Sequence, residues 1–495
     1  MSDGPAFPPV GRRDGLLVVA IIALGTAIRL PQLGHLLYES HAFRQTQTAL
    51  VIREYSRFGI DLLSTPLPVF GAGADVPFEL PLFQALAALL THTGLSVDMS
   101  ARLLGLTFFQ LSTLLLWVLV RRWHSIRAAH VALALMQFLP FALAWGAAAL
   151  IEFMAVAFGL AMVVALDTYL RRGTRVHLAV GAVAAWTCAL VKVTTLVPWA
   201  VLLVFAALSL ARTRQAVFRS AAAAILGPGL GLLLATTWSR YADSIKASEA
   251  ATRFLTSTEL VDWNFGTIES RLSLTSNKGL AYHALLEVGG PVGLGLVLAL
   301  VGAFLGVGTA WHRAGLLMTV VAGPLVLFNL YAIHSYYWIA SFPALTCLMA
   351  LGILAAVERL TMGAPALPGV TALLTGVVIM VAAVVPLGSD EVSQFKHSNT
   401  VPSLPARVAE QTGPDDQLLV IGCDWDPTLL YGADRTGFMI RNDTADALPP
   451  QSSMHTYTHL VSCDPRLDPA DYLPAGWQAT PTADRQIYTI GRKDE

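Results

Sequence analysis

Apolar runs long enough to cross a lipid bilayer recur along this chain. A bilayer core takes roughly 20 residues of helix. By that measure eleven spans are expected, at about 15–34, 101–121, 128–146, 148–170, 176–192, 194–210, 216–238, 280–306, 314–333, 337–357 and 367–387. Such a chain can fold only as a polytopic α-helical membrane protein, because backbone groups in hydrocarbon must find partners within the chain. Composition agrees: 13% of the residues are charged and 55% are hydrophobic, against about 25% charged in soluble domains. A net charge of −1 says nothing about partners, and with no basic stripe or reading motif no nucleic-acid partner is expected. Arg12 and Arg13 precede the first run, which is long enough to span and is followed by no small-residue cleavage site. The start of the chain is therefore expected to be an uncleaved anchor.

Charge sets the expected orientation. With the N-terminus inside, the cytoplasmic loops are "RRWHSIR", "LRRGTR", "ARTRQAVFR", "WHR" and "ERLTMG", which carry most of the arginine between spans. The long loops 35–100 and 239–279 and the tail 388–495 then lie outside.

Those outer segments have patterns of their own. Phe43, Leu50, Val51, Tyr55 and Phe58 recur at helical spacing with Arg44, Thr48, Arg53 and Arg57 on other faces, which predicts an amphipathic helix in the interface. "PLFQALAALLTHTG" is too short to span and predicts a second juxtamembrane helix opened by Pro81. The tail reads as a small α/β domain. It has a helix in "VPSLPARVAEQTG", strands in "QLLVIGC", "GFMI", "HTYTHLVSC" and "RQIYTIG", and a short helix in "DPTLLYGADR". Cys188 and Cys347 sit in apolar runs. Cys423 and Cys463, each at the end of an apolar run and before an Asp, either pair in an oxidising compartment or stay free thiols.

The polar residues within and beside the spans gather on the outer side. Glu39, His41 and Arg44 follow the first span, and Glu79 precedes "LPLF". Glu152 and Lys192 lie near the outer ends of their spans, and "LTSTELVDWNFGTIESR" and "NLYAIHSYYW" share that side. A charge at mid-bilayer costs about 2.5–3.5 kcal/mol on insertion scales, so such groups line a cavity or take partners. Each also has a plainer role open to it. Lys192 can snorkel, and Tyr336 and Tyr337 can belong to an interfacial aromatic belt. Asp424 and Trp425 are expected to hold the tail domain's own turn.

The order of an acid after the first span, then "FRQTQTA", "FELPLF" and "HSYYW", resembles the GT-C glycosyltransferases. The resemblance is to the branch of the protein O-mannosyltransferases and the lipid A aminoarabinose transferase (glycosyltransferase family 39-like). "LTSTELVDWNFGT" and "CDWDPTLLYGADR" resemble a bacterial subgroup of that branch with a C-terminal outer domain. The resemblance implies a GT-C transmembrane catalytic domain over 1–387 and a periplasmic α/β domain over 388–495, in a bacterial inner membrane. It implies a polyprenyl-phosphate-linked sugar donor, a glycan, lipid or protein acceptor, membrane lipid as a partner, and inverting transfer with an acid of the first outer loop as base.

Glu39 stands where that acid is expected, though the family often has Asp in an Asp-Glu pair and here the neighbours are Tyr38 and Ser40. Glu79 and Glu152 stand where site-lining acids are expected, and His334 and Tyr337 where the donor is met.

The chemistry is consistent with this reading. A carboxylate can take the acceptor proton, and a phosphate leaving group wants cations: Arg44 and Lys192, with Arg271 behind them. Tyr336, His41, Asp262, Trp263 and Asn264 are expected to shape the acceptor side. Glu39, His41, Glu79 and His334 are residue types a divalent metal takes, so a metal stays open; no other cofactor is expected. The alternatives are an oligosaccharide ligase or polymerase with a diphosphate-linked donor, a flippase, and a noncatalytic glycan-binding subunit. A transporter would show repeated halves and broken midplane helices, and neither is evident in the sequence.

Overall fold

A computed structural model describes residues 10–290, 293–361, 368–384, 400–442, 448–449 and 451–493. The first residues of the expected anchor and the 387/388 domain boundary lie outside the described residues. The chain separates into two compact units. One comprises Met1–Leu33, Arg102–Trp238 and Leu260–Ser393; the other comprises Gly34–Ala101, Ser239–Glu259 and Gln394–Glu495.

The first unit is helical. Among the described residues six helices are long and apolar enough to span: Arg12–Gly34, Val97–Trp123, Glu152–Arg172, Arg175–Leu210, Arg214–Lys246 and Phe342–Leu360. The run expected at 367–387 is the uninterrupted helix Pro368–Val384, whereas several of the expected spans contain breaks. The run expected at 128–146 is split by Pro140 into Ile126–Phe138 and Pro140–Trp145, since proline lacks an N–H and its ring clashes with the preceding turn. The wholly buried Arg29 supplies donors there, to Gln137 O at 2.8 Å and Ala142 O at 2.9 Å. The spans expected at 176–192 and 194–210 run as Arg175–Leu210, interrupted at Lys192 by extended backbone with φ −163° and ψ 96°. The run at 280–306 divides into Leu274–Tyr282, a wide turn at His283–Val288 and Leu294–Leu305. The run at 314–333 divides at Leu327 into Ala310–Val326 and Phe328–Ile333.

Small residues set the closest helix packing. A Cβ on Gly302 would strike Leu348 O, and one on Gly352 would strike Leu298 O. Leu294–Leu305 and Phe342–Leu360 therefore meet backbone to backbone, the close approach that small residues permit between membrane helices.

The second unit contains a five-stranded sheet: β1 Gln417–Ile421, β2 Thr436–Met439, β3 Tyr457–Ser462, β4 Trp477–Pro481 and β5 Ile487–Arg492. The order is β2-β1-β3-β5-β4, parallel across β2, β1 and β3 and antiparallel beyond. Helices Ser403–Gln411 and Thr428–Ala433 occur where the apolar pattern predicts them. The core is built from residues such as Leu419, Ile421, Phe438, Met454 and Leu460. β4 was not expected, because "WQATP" lacks apolar alternation and is mostly exposed.

The sheet is extended by the loop that follows the first helix. Gly71 N donates to Gly437 O at 2.9 Å, and Met439 N to Val69 O at 2.8 Å. Arg53 and Arg57 reach Asp434 at 2.6 and 2.9 Å. Burial pushes the Asp434 carboxyl up, but the Arg57 hydrogen bonds and the two guanidinium charges outweigh it and hold the group below its ordinary range. The helix Ala42–Phe58 is not the two-faced interfacial helix expected. Gln45 through Tyr55 are buried without interruption, polar residues included, because the unit's own loops and tail cover it. Leu82–Thr91 follows Pro81, which occupies its N-cap position.

Candidate active site

In the second unit, the segment after the first span turns sharply at His41, whose left-handed backbone (φ 52°) starts Ala42–Phe58. Gln45 Nε2 donates to Ser40 O at 3.0 Å. These contacts set the turn that carries Glu39, which is half-buried. One turn into the helix, Arg44 Nη2 donates to both oxygens of Glu79, at 3.1 and 3.2 Å, and Nη1 donates to Gln47 Oε1 at 2.7 Å. The predicted cation and the predicted acid are thus brought together across 35 residues. The Phe78 ring lies 5.8 Å from the Arg44 guanidinium and 5.3 Å from the Lys246 ammonium.

In the first unit, Glu152 opens the helix Glu152–Arg172, where a carboxylate is favoured by the helix dipole. Its Oε1 lies 2.7 Å from Lys192 Nζ, and both side chains are nearly inaccessible, at 1% and 3% exposure. The extended backbone at Lys192 interrupts the helix at this residue. The ammonium also faces the rings of Tyr337 at 4.9 Å and Tyr336 at 5.9 Å. His334 stacks on Tyr336 at 5.4 Å, and Trp263 lies 5.8 Å from His334. Glu152, Lys192, Trp263, His334, Tyr336 and Tyr337 therefore form one connected group.

Asp262 and Asn264 flank Trp263 on the short helix Val261–Phe265. Arg271 is engaged with backbone, donating to Phe265 O, Leu325 O and Val326 O at 2.7–3.0 Å, where it satisfies carbonyls at the end of Ala310–Val326. Among the described residues no group of three or more His, Cys, Asp or Glu is arranged to hold a metal ion. The set Glu39, His41, Glu79 and His334 therefore does not form a ligand cluster.

Two features of the second unit went unrecognised in the sequence. Lys246, buried at the end of an apolar helix, donates to Leu255 O at 2.7 Å and pairs with Asp243 at 3.2 Å; a lysine closing an apolar run was the available signal. The Trp425 ring, expected to serve only its own turn, packs on Phe43 at 4.6 Å and lies nearly parallel to Phe78 at 6.3 Å. Cys423 and Cys463 form a disulfide with Cα atoms 5.3 Å apart, which resolves the two alternatives the sequence left open.

No family model matches the sequence, and no curated protein matches it. Solved structures do match. ArnT from Cupriavidus metallidurans bound to undecaprenyl phosphate is 13% identical with a TM-score of 0.62, over 96% of this chain and 97% of that one. The Archaeoglobus fulgidus oligosaccharyltransferase AglB in complex with an inhibitory peptide and a dolichol-phosphate has a TM-score of 0.56 at 12% identity, over 91% of this chain and 69% of that one. The arabinofuranosyltransferase AftD from Mycobacteria has a TM-score of 0.55 at 14% identity; the likeness takes in 99% of this chain and 40% of that one. At these identities the likeness concerns the fold. Together with the span-length apolar helices, it makes this chain a multi-pass membrane protein with the GT-C fold of membrane glycosyltransferases.

Proposed function

We propose that this chain is an integral-membrane glycosyltransferase that moves a sugar from a polyprenyl-phosphate donor to an acceptor at the periplasmic face of a bacterial inner membrane. The observation that carries this reading is the fold shared, over 96% of the chain, with a transferase bound to undecaprenyl phosphate. The charge of the short loops supports an N-terminus inside, and the apolar runs of the sequence support about eleven crossings. The Cys423–Cys463 disulfide supports an oxidising compartment for the tail domain 388–495, with 1–387 as the catalytic body.

In this reading the reaction inverts the anomeric centre. Glu39 takes the acceptor hydroxyl proton as that oxygen attacks, and the carrier phosphate leaves as an anion. Arg44 and Lys192 are the cations assigned to the phosphate, and Arg271, His334 and Tyr337 are further donor-side residues. Arg can bind phosphate bidentately, whereas Lys acts as a point charge. Glu79 and Glu152 hold the two cations before the donor arrives, as their contacts support. His41, Asp262, Trp263, Asn264 and Tyr336 shape the acceptor side.

The test is transfer of radiolabelled sugar from polyprenyl-monophosphate donors in membranes, comparing wild type with Glu39→Gln at matched expression. Loss of a general base lowers the rate by about 10²–10⁴-fold, with donor binding kept. Retained transfer in Glu39→Gln removes Glu39 as base. No transfer by the wild type from any monophosphate donor refutes the proposed activity.

A further inference from the structure

The tail sheet has its parallel strands in the order β2-β1-β3. The chain leaves the central β1 for β2 on one side, then crosses to β3 on the other. In open α/β sheets, the crevice beyond the carboxyl ends of strands at such a reversal is where ligands bind. Here the β1 and β3 ends are tied by the Cys423–Cys463 disulfide. The turn after β1 takes left-handed backbone at Gly422 (φ 77°) and Asp424 (φ 54°) and presents Trp425.

Around Trp425 stands a group of rings at the margin of the sheet's core, where the buried Phe70 stacks on Trp425 at 5.8 Å. Phe254 meets it edge-on at 6.0 Å, beside the contacts to Phe43 and Phe78. Arg441, just past β2, lays its guanidinium 3.5 Å from the Phe254 ring centre. Trp425, Phe254, Phe43, Phe78 and Arg441 are all half-buried, whereas the domain's core residues Leu419, Ile421 and Leu460 are sealed. The partly open rings sit beside a guanidinium and the Asp424 and Asp426 positions. Aromatic faces with a few planar polar groups suit a sugar, whose C–H faces lie on rings while its hydroxyls take hydrogen bonds. Phe43 and Phe78 are also the chain neighbours of Arg44 and Glu79.

We infer that Trp425, Phe254 and Arg441 form a saccharide-binding subsite, through which the tail domain holds a glycan acceptor. The term acceptor rests on the transferase reading; the binding of saccharide does not.

The experiment is saturation-transfer NMR on the full chain in lipid nanodiscs. The probes are mannosyl, N-acetylglucosaminyl, rhamnosyl and galactosyl oligosaccharides. Wild type is expected to transfer saturation to ring protons of at least one probe. Trp425→Ala is expected to weaken that binding at least roughly tenfold, a factor a lost buried aromatic anchor readily supplies, and Arg441→Gln to weaken it as well. Undecaprenyl phosphate binding, followed in parallel, should be unchanged. No saturation transfer to any probe, or equal transfer in wild type and both variants, overturns the subsite. If Trp425→Ala fails to fold, Arg441→Gln decides alone. Saccharide binding without sugar transfer would refute the proposed activity and keep the subsite; transfer without saccharide binding would do the reverse.

Discussion

The Glu152–Lys192 pair supports a prediction that separates folding from function. At 2.7 Å, two unit charges attract by about 332/(20 × 2.7), roughly 6 kcal/mol, at an effective dielectric of about 20. That attraction offsets a desolvation penalty of several kcal/mol for each ion, so the net worth of the pair is small. Removing one partner strands the other charge in a site that is 1–3% exposed, and the expected cost is about 3–5 kcal/mol. Glu152→Gln and Lys192→Met should each destabilise the chain by that amount. The double variant should return to within about 1 kcal/mol of wild type, because no charge remains buried. The assay is a double-mutant cycle read by reversible denaturant unfolding in detergent. A double variant whose loss equals the sum of the singles refutes the reasoning, since additivity means that the two groups do not interact. Donor binding supplies the second axis. If Lys192 meets the donor phosphate, the double variant regains its fold but still binds undecaprenyl phosphate poorly.

Two further outcomes follow from the second unit. The Asp434 carboxyl is held below its ordinary range by Arg57 and Arg53 against the effect of burial. Its contribution is therefore present above about pH 4, the unfolded value, and is lost as pH falls through the lower folded value. Asp434 is about half exposed, so that contribution should be near 0.2–1 kcal/mol and salt-sensitive; Asp434→Asn should flatten the acid limb of an unfolding curve, and an unchanged limb counts against it. The disulfide closes a loop of 40 residues, worth about 4 kcal/mol on chain entropy. Cys463→Ser should lower the tail domain's midpoint accordingly and expose the Cys423 thiol to alkylation, whereas an unshifted midpoint would place the domain's stability elsewhere.

Local patterns were legible in the sequence, and non-local pairings were not. The break near residue 193 was visible as a boundary between two apolar runs, and the structure has extended backbone at Lys192. Pro81 and the strands "QLLVIGC" and "GFMI" carried short-range signals. The interruptions at His283–Val288 and Leu327 had signals that a count of apolar runs passes over: His283, Glu287 and the Gly289-Gly290 that follow, and Pro324 ahead of Leu327. The burial of Gln45–Tyr55 depends on Leu82–Thr91 and on tail segments hundreds of residues away, so its spacing read as amphipathic. For the candidate site, residue types and sidedness could be read along the chain. The partnerships of Arg44 with Glu79 and of Lys192 with Glu152, and the place of Trp425, needed three dimensions.

The strip of first loop that lines the sheet edge also imposes a schedule on synthesis. Phe70 bridges to Phe438, about 370 residues later in the chain. At roughly 5–20 residues per second, some 20–70 s pass between emergence of the loop and emergence of the strand it pairs with. During that interval, Gly71 N and the Pro68 and Val69 carbonyls stand without their final partners. Any chain cut short before Phe438 leaves them so permanently. The second unit is thus completed only once the tail has been made, although its first segment is synthesised directly after the first helix.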